Sequence, residues 1–118
     1  MIKSKNFLIF LTLFVILVTA GITLLLNYNP NKNKIKNETE TAINQAKYIY
    51  RLRKEEGENF ANGPCLSNSL MPGWVLDIAH NPRQPIDNLP ENQCSTYVNG
   101  LAQHFVELDP QGNVIRAK

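Results

Sequence analysis

The sequence predicts an α+β protein with an N-terminal transmembrane helix, a linker, and one amphipathic helix packed on a small antiparallel sheet with one disulfide. Three observations predict this class. Residues 7–26 form an uncharged apolar run, and residues 38–56 carry a helical apolar stripe. The segments after residue 64 alternate between short strand-like runs and turns that contain Gly or Pro. The 118-residue chain therefore predicts one small domain behind a membrane anchor.

The apolar run Phe7–Leu26 contains twenty residues without a charge. As a helix rising about 1.5 Å per residue it would be about 30 Å long, the thickness of a bilayer's hydrocarbon core. Lys3 and Lys5 precede the run, so we expect residues 1–6 to be a cytoplasmic tail. Lysines that follow the run favour the opposite orientation. The predicted location is the cell membrane, with a single pass and the lipid bilayer as a partner.

The same segment also has the pattern of a cleavable signal peptide. A positive N-terminus precedes an apolar core, and Val18-Thr19-Ala20 is a small-residue cleavage site. Because the apolar run continues beyond Ala20 to Leu26, a retained anchor is favoured over cleavage. Both interpretations place the rest of the chain outside the cytoplasm.

The segment Asn27–Asn37 alternates asparagine with lysine around one proline. Because it has almost no apolar side chain to bury, we predict a flexible linker. Residues 38–118 then form the extracytoplasmic domain. Its first element is the predicted helix, whose apolar stripe consists of Ala42, Ile43, Ala46, Ile49 and Tyr50.

Charge is distributed unevenly along the chain. Residues 32–54 carry a local charge of +5 and residues 55–118 one of −5, so the formal net charge of +2 comes from Lys3 and Lys5. A solvated helix face, contact with lipid headgroups, or pairing between copies of the chain would each account for the basic segment. The overall balance therefore predicts no nucleic-acid partner.

Two cysteines, Cys65 and Cys94, follow the anchor. A small exported domain often needs a covalent brace, so we predict that they form a disulfide. Zinc is the alternative, because His80 and His104 would complete a set of four ligands. The spacing matches none of the usual paired patterns, so the sequence predicts no metal and no cofactor.

Three segments are predicted to form about three strands of the sheet. Trp74–Ala79 and Ala102–Leu108 have strand patterns, and Val114–Ala117 follows the turn signal Asp109-Pro110-Gln111-Gly112, which indicates a hairpin. Ser95–Val98 is a further candidate for a short strand.

The segment His80–Gln93 contains three prolines and three asparagines, a density that excludes a regular element. The predicted disulfide would fix its far end. We therefore predict an interaction loop, with His80, Arg83, Asp87 and Glu91 as candidate contact residues.

No pattern in the sequence indicates an enzyme. Asp77-x-x-His80 and His104-x-x-Glu107 resemble ligand pairs, but on strands a spacing of three places side chains on opposite faces. Cys65 could be a nucleophile only if it were unbonded. We expect a non-enzymatic protein, and a thiol- or metal-dependent enzyme that uses Cys65, His80 or His104 is the alternative.

The layout resembles that of type IV pilins and pseudopilins. The resemblance rests on the short positive tail, one apolar helix, an amphipathic continuation, and a disulfide-containing β region after Gly57. It implies a subunit of a surface filament or secretion system. Pilins carry Gly or Ala before the apolar segment and a glutamate within it. Here Asn6 precedes the segment, which contains no acid, so prepilin processing is not expected.

The stretches GPCLSN and HFVELDPQGNVI also resemble those of small single-pass bacterial membrane proteins, a resemblance that implies no activity. The favoured hypothesis is an extracytoplasmic envelope protein that binds a protein partner or assembles with copies of itself. A pilin-like subunit is the second hypothesis.

Overall fold

The computed structural model describes residues 2–118, with side chains described from Ser4 onward. The chain divides into two compact units, one ending at Lys34 and the other spanning Ile35–Lys118. We call the second unit the head. The α+β class and the single disulfide predicted from the sequence are confirmed.

Helix α1 spans Ile2–Asn27. Its segment Ser4–Asn27 contains an 18-residue stretch with a mean hydropathy of 2.8 and is long and apolar enough to cross a membrane. The threonine hydroxyls within it donate to backbone carbonyls one turn earlier; that of Thr12, for example, donates to Ile9 at 2.8 Å. These polar side chains therefore carry no unsatisfied donor on an apolar helix.

Helix α2 spans Pro30–Glu55, so the structure has helix where the sequence predicts a linker. The Asn29 side-chain oxygen accepts hydrogen bonds from the backbone N–H groups of Asn31 and Lys32, and Pro30 occupies the first helical position. All side chains of residues 31–37 are exposed. The composition correctly indicated that nothing here is buried, but a capped helix does not require burial along its whole length.

The predicted apolar stripe of α2 packs against the sheet. Ala42, Ala46 and Tyr50 are buried, and the Tyr50 hydroxyl donates to the carbonyl of Pro110 at 2.9 Å. Gly112 lies beneath the Tyr50 ring with a φ of 90°, and a Cβ there would lie 2.5 Å from Tyr50 Cε1. The turn before the last strand therefore requires glycine at this position.

The described part of the head forms a four-stranded sheet with the order β1-β2-β3-β4. The strands are Cys65–Met71, Trp74–Ile78, His104–Leu108 and Val114–Ala117. The outer pairs β1–β2 and β3–β4 are antiparallel, whereas β2 and β3 are parallel. The sheet is therefore mixed, and the predictions of an antiparallel arrangement and of about three strands are corrected.

The long crossover between β2 and β3 accounts for their parallel pairing, because residues 79–103 return the chain to the end of the sheet from which β2 started. The crossover contains 3-10 helices at Pro85–Asn88 and Pro90–Asn92 and the short helix α3, Ser95–Val98. The prediction of a strand at Ser95–Val98 is wrong. Backbone N–H groups of residues 97 and 98 donate to the carbonyl of Cys94, which closes a helical turn despite the strand-forming side chains.

The two sides of the sheet have different coverings. Trp74, Leu76 and Ile78 join the core under α2, as their predicted shared face requires. Val75 and Phe105 point to the opposite side, where they pack with Cys94 and Ala102. We call this second side, with the crossover that covers it, the loop face.

Candidate functional site

The disulfide joins the first residue of β1 to the residue before α3. Cys65 and Cys94 are bonded with a Cα–Cα distance of 5.0 Å, across a sequence separation of 29 residues. Both sulfurs are therefore committed to a structural bond, and a thiolate nucleophile at Cys65 would require its reduction.

Asp87 holds the predicted interaction loop in place from inside. Its side chain is fully buried, and its Oδ2 accepts hydrogen bonds from the backbone N–H groups of His80 and Gln84 at 3.0 and 2.8 Å. His80 Nδ1 lies 2.8 Å from Asp87 Oδ1. Burial alone would raise the pKa of this carboxyl, but the hydrogen bonds from Gln84 and His80 outweigh it and lower the pKa.

Gly63 provides the space that Asp87 occupies. Gly63 has a φ of 64°, and a Cβ at this position would collide with the Asp87 carboxylate. The turn before β1 and the loop after β2 are therefore fitted to each other at a point that only glycine allows.

A second set of hydrogen bonds ties the loop to the sheet. Arg83 donates to Asn88 Oδ1 at 2.8 Å, to Glu107 Oε2 at 2.9 Å and to the Asp87 carbonyl at 3.3 Å. The Gln93 amide also donates to the Asp87 carbonyl. The proline-rich segment is therefore an ordered part of the loop face.

The four candidate contact residues occupy different environments. His80 and Arg83 both contact Asp87. Asp87 is buried, so its side chain supports the loop and is not exposed to a partner. Arg83 reaches the surface while it pairs with Glu107, and Glu91 is exposed on the second 3-10 helix. Of the four, Arg83 and Glu91 present the largest side-chain surface to a partner.

The two histidines have different neighbours, His80 contacting Asp87 of the loop and His104 the indole of Trp74. His104 stacks on Trp74 with ring centroids 4.7 Å apart, on the side that faces α2. Glu107 projects to the loop face, so the pair His104-x-x-Glu107 is separated as its strand spacing predicts.

A pair of carboxyl groups that sequence reasoning did not bring together lies on the loop face. Asp77 and Glu107 are direct neighbours in the register of parallel strands β2 and β3. Glu107 is buried, and its oxygens accept hydrogen bonds from Arg83 at 2.9 Å and from Arg116 at 3.2 Å. Only the parallel register reveals this pair, because the two residues are thirty positions apart in the sequence.

These side chains border a cavity of about 80 Å³, which we call the charged cavity. Its charged lining consists of Asp77, Glu107, Arg83 and Arg116. The rest of its wall includes Val75, Gln93, Cys94, Tyr97 and Phe105. Within the side chains that the structure describes, Asp77 Oδ1 is the buried oxygen that lacks a hydrogen-bond partner.

The environment of Asp77 changes its titration. Burial, followed by the neighbouring Glu107 carboxylate, raises the pKa of Asp77 to about 7, while Arg83 acts in the opposite direction. Asp77 therefore exchanges its proton near neutral pH, where an ordinary aspartate is fully ionised.

Replacing Asp77 with asparagine should change how stability depends on pH. Between about pH 4 and about pH 7 the unfolded chain loses the Asp77 proton while the folded head retains it, so the head loses stability as the pH rises, by at most about 4 kcal/mol. Asp77→Asn removes this titration. We expect the variant to become progressively more stable than the parent chain across this range, with a constant difference above it.

Unfolding of the full-length chain in detergent micelles, followed by Trp74 fluorescence, measures this difference. Trp74 is the chain's one tryptophan and lies in the core of the head. Glu91→Gln, which removes an exposed carboxyl of the same loop, is the control. Parallel stability curves for Asp77→Asn and the parent chain would contradict the prediction.

Large apolar side chains are exposed on the crossover, and one of them, Tyr97, also lines the charged cavity. Val98 and Leu101 are 63% and 77% exposed, and Leu89 and Tyr97 are partly exposed nearby in the sequence. We call these four residues the α3 patch. Thr96 holds α3 to the edge of β1 by donating to the Asn68 carbonyl at 2.9 Å, so the surface belongs to an anchored element.

Burial reduces the acidic character of the head surface. Asp87 and Glu107 are buried, and Asp77 is partly buried with an unusually high pKa. The local charge of −5 in residues 55–118 therefore overstates the negative charge that a second copy would meet. This weakens the electrostatic support for pairing between copies.

Comparisons with protein-family models, with curated proteins and with solved structures find no match to this chain. Function is therefore inferred from α1 and from the geometry of the loop face.

Proposed function

We propose that the protein is a membrane-anchored extracytoplasmic envelope protein that works by binding another protein, without catalysing a reaction. The observation that carries this proposal is the α3 patch, in which large apolar side chains are exposed on an ordered, disulfide-braced surface. Several large apolar side chains exposed on one short segment of a small head are unfavourable in water unless a partner covers them. The disulfide and the Thr96–Asn68 contact hold the patch in one shape, which lowers the entropy cost of binding.

The anchor and the disulfide support the proposed location. Helix α1 has the length and hydropathy of a membrane span, and Lys3 and Lys5 favour a cytoplasmic N-terminus. Disulfides persist mainly in oxidising compartments, which is consistent with a head outside the cytoplasm.

A binding role is also supported by the state of the residues that would otherwise carry catalysis. The cysteine sulfurs are bonded to each other, His80 is held by Asp87, and His104 is stacked on Trp74. Each group therefore has a structural task that accounts for its position.

A photo-crosslinking amino acid placed at Leu101 in the full-length chain in living cells tests the proposal. We expect one discrete crosslinked product, which Val98→Glu should abolish because a charge would be buried in the contact. The matched control is the same probe at Tyr48, an exposed apolar residue of α2. A product of twice the chain's mass indicates self-assembly, and another mass indicates a different protein.

The absence of a product at Leu101, or the same product from Tyr48, would overturn the proposed contact.

The proposed location is tested separately by labelling intact cells with a membrane-impermeant thiol reagent. Cys65 and Cys94 should react only after reduction if the head lies outside. Labelling that needs cell lysis as well would contradict an extracytoplasmic head.

A pilin-like subunit is a second candidate, favoured by the order of elements. Helices α1 and α2 contain 26 residues each and are separated only by Tyr28 and Asn29, and the later part of α2 packs on the sheet. Shearing of cells should release the protein in a filament fraction if it has this role. Its retention in the membrane fraction would contradict it.

A further inference from the structure

We propose that the protein bound by the α3 patch is a second copy of this chain, and that each copy inserts Leu101 into a cleft of the other. This inference rests on the proposed function, because it identifies the partner of the same surface.

A mostly apolar cleft of about 380 Å³ lies between the turn that joins β1 to β2 and the segment that follows α3. We call it the α3 cleft. Its volume lies within the range of about 300–1,000 Å³ that is typical of ligand-binding sites, so it has room for a large apolar side chain. Its wall includes Ser69, Met71, Pro72, Trp74, Leu101 and Ala102.

Leu101 belongs to the wall of the α3 cleft and also projects into solvent, with 77% of its surface exposed. The same small surface therefore carries an apolar projection and an apolar cleft side by side. In a two-fold contact between identical chains, each copy supplies both parts. The Leu101 side chain of one copy then enters the cleft of the other, and the reverse contact forms at the same time.

The charge of this surface also suits a second copy. Among the residues that the structure describes, none that lines the α3 cleft is charged. The segments 64–76 and 92–103, which contribute the lining on either side, contain no Asp, Glu, Lys or Arg. Two copies therefore approach through this surface without like-charge repulsion. A charged group of another partner would lose hydration here and gain no ion pair.

The polar residues at the edge of the cleft are already hydrogen-bonded to each other. The Thr96 hydroxyl donates to the Asn68 carbonyl at 2.9 Å, and the Thr96 backbone N–H donates to Asn68 Oδ1 at 3.1 Å. Covering the cleft with a second copy therefore leaves these groups paired, which keeps the cost of removing water low.

The proposed membrane location favours pairing between copies as well. Helix α1 has the length and hydropathy of a membrane span, so copies of the chain would be confined to the same bilayer. Confinement raises the effective concentration of each head for the others, so a contact of modest area is enough for association.

A photo-crosslinking amino acid at Ser69, inside the cleft, identifies the partner by mass in living cells. We expect a product of twice the chain's mass, because the probe faces the Leu101 side chain of the other copy. If the probe at Leu101 gives a product and the probe at Ser69 gives none, or gives one of another mass, the second copy is wrong and the proposed binding role stands. If neither position gives a product, both proposals fail.

Energy transfer between full-length copies, labelled at their N-termini with donor or acceptor dyes in detergent micelles, measures the strength of association. Leu101→Ser should weaken association at least about tenfold, because it removes a large apolar side chain from each contact. Ser69→Arg should weaken it too, because it places a charge in the cleft. Tyr48→Ser truncates an exposed residue of α2 and should leave association unchanged. Trp74 fluorescence during unfolding verifies that each variant is folded.

A mixture of two charged variants tests the insertion itself. Leu101→Glu and Ser69→Arg should each associate poorly alone. Mixed together they should associate better than either alone, because the new carboxylate of one copy faces the new guanidinium of the other. A mixture that associates no better than its components would overturn the proposal. Equal energy transfer in the parent chain, Leu101→Ser and Ser69→Arg would also overturn it, because the copies would then meet through a different surface.

Discussion

Replacing Asp87 with alanine should lower the free energy of unfolding of the head by about 3–5 kcal/mol. The carboxylate accepts hydrogen bonds from two backbone N–H groups and is bonded to His80 Nδ1. Without it, these partly buried groups lose their partner at about 1–3 kcal/mol each, and part of this cost is recovered by hydration and local rearrangement. Asp87→Asn should cost less, because one oxygen remains to accept the backbone bonds.

The measurement is denaturant unfolding of the full-length chain in detergent micelles, followed by Trp74 fluorescence. Glu91→Ala is the matched control, because it truncates an exposed acid of the same loop and should change stability by less than about 0.5 kcal/mol. An effect of Asp87→Ala no larger than that of Glu91→Ala would contradict the buried role of Asp87.

The contribution of Asp87 to the stability of the head depends on pH with the opposite sign to the contribution of Asp77. A carboxyl whose pKa is lower in the folded head stabilises it above the unfolded pKa, near about pH 4, and this stabilisation is lost as the pH falls through the folded pKa. The difference between the parent chain and Asp87→Ala should therefore become smaller in acid.

Removing the disulfide should destabilise the head by about 3–4 kcal/mol, because the bond closes a loop of about 30 residues in the unfolded chain. The double variant Cys65→Ser and Cys94→Ser, and reduction of the parent chain, should give similar losses. The α3 patch should also become less ordered, since α3 begins directly after Cys94.

Unfolding in the presence and absence of a reductant measures this effect. The double serine variant serves as the control, because a reductant should not change its stability. Equal stability of the reduced and oxidised parent chain would contradict a bracing role for the bond.

Elements with a clear local period were predicted well from the sequence. The stripe of α2, the alternation in β2 and the turn at Asp109 all appear in the structure. Asp109 accepts hydrogen bonds from the backbone N–H groups of Gln111 and Asn113, as its turn position requires. Periodicity and turn chemistry are properties of neighbouring residues, so a single sequence reveals them.

The parts that were missed depend on partners distant in sequence. The parallel pairing of β2 with β3 follows from the path of residues 79–103, whose prolines hide any period. That pairing places Asp77 beside Glu107, and no spacing rule connects the two residues. The helical turn at Ser95–Val98 is fixed by the disulfide and by Asn68, which overrides its strand-forming composition.

Because Asp87 holds the loop 80–93 in place from inside, it also determines which positions of this loop can be substituted. Asn81 and Glu91 are exposed, so their side chains can be exchanged with little effect on the fold. Asp87 cannot be exchanged in this way, because its buried carboxylate accepts hydrogen bonds from the backbone N–H groups of His80 and Gln84. A library that randomises these two exposed positions and keeps Asp87 would therefore vary the displayed surface while preserving the loop that supports it.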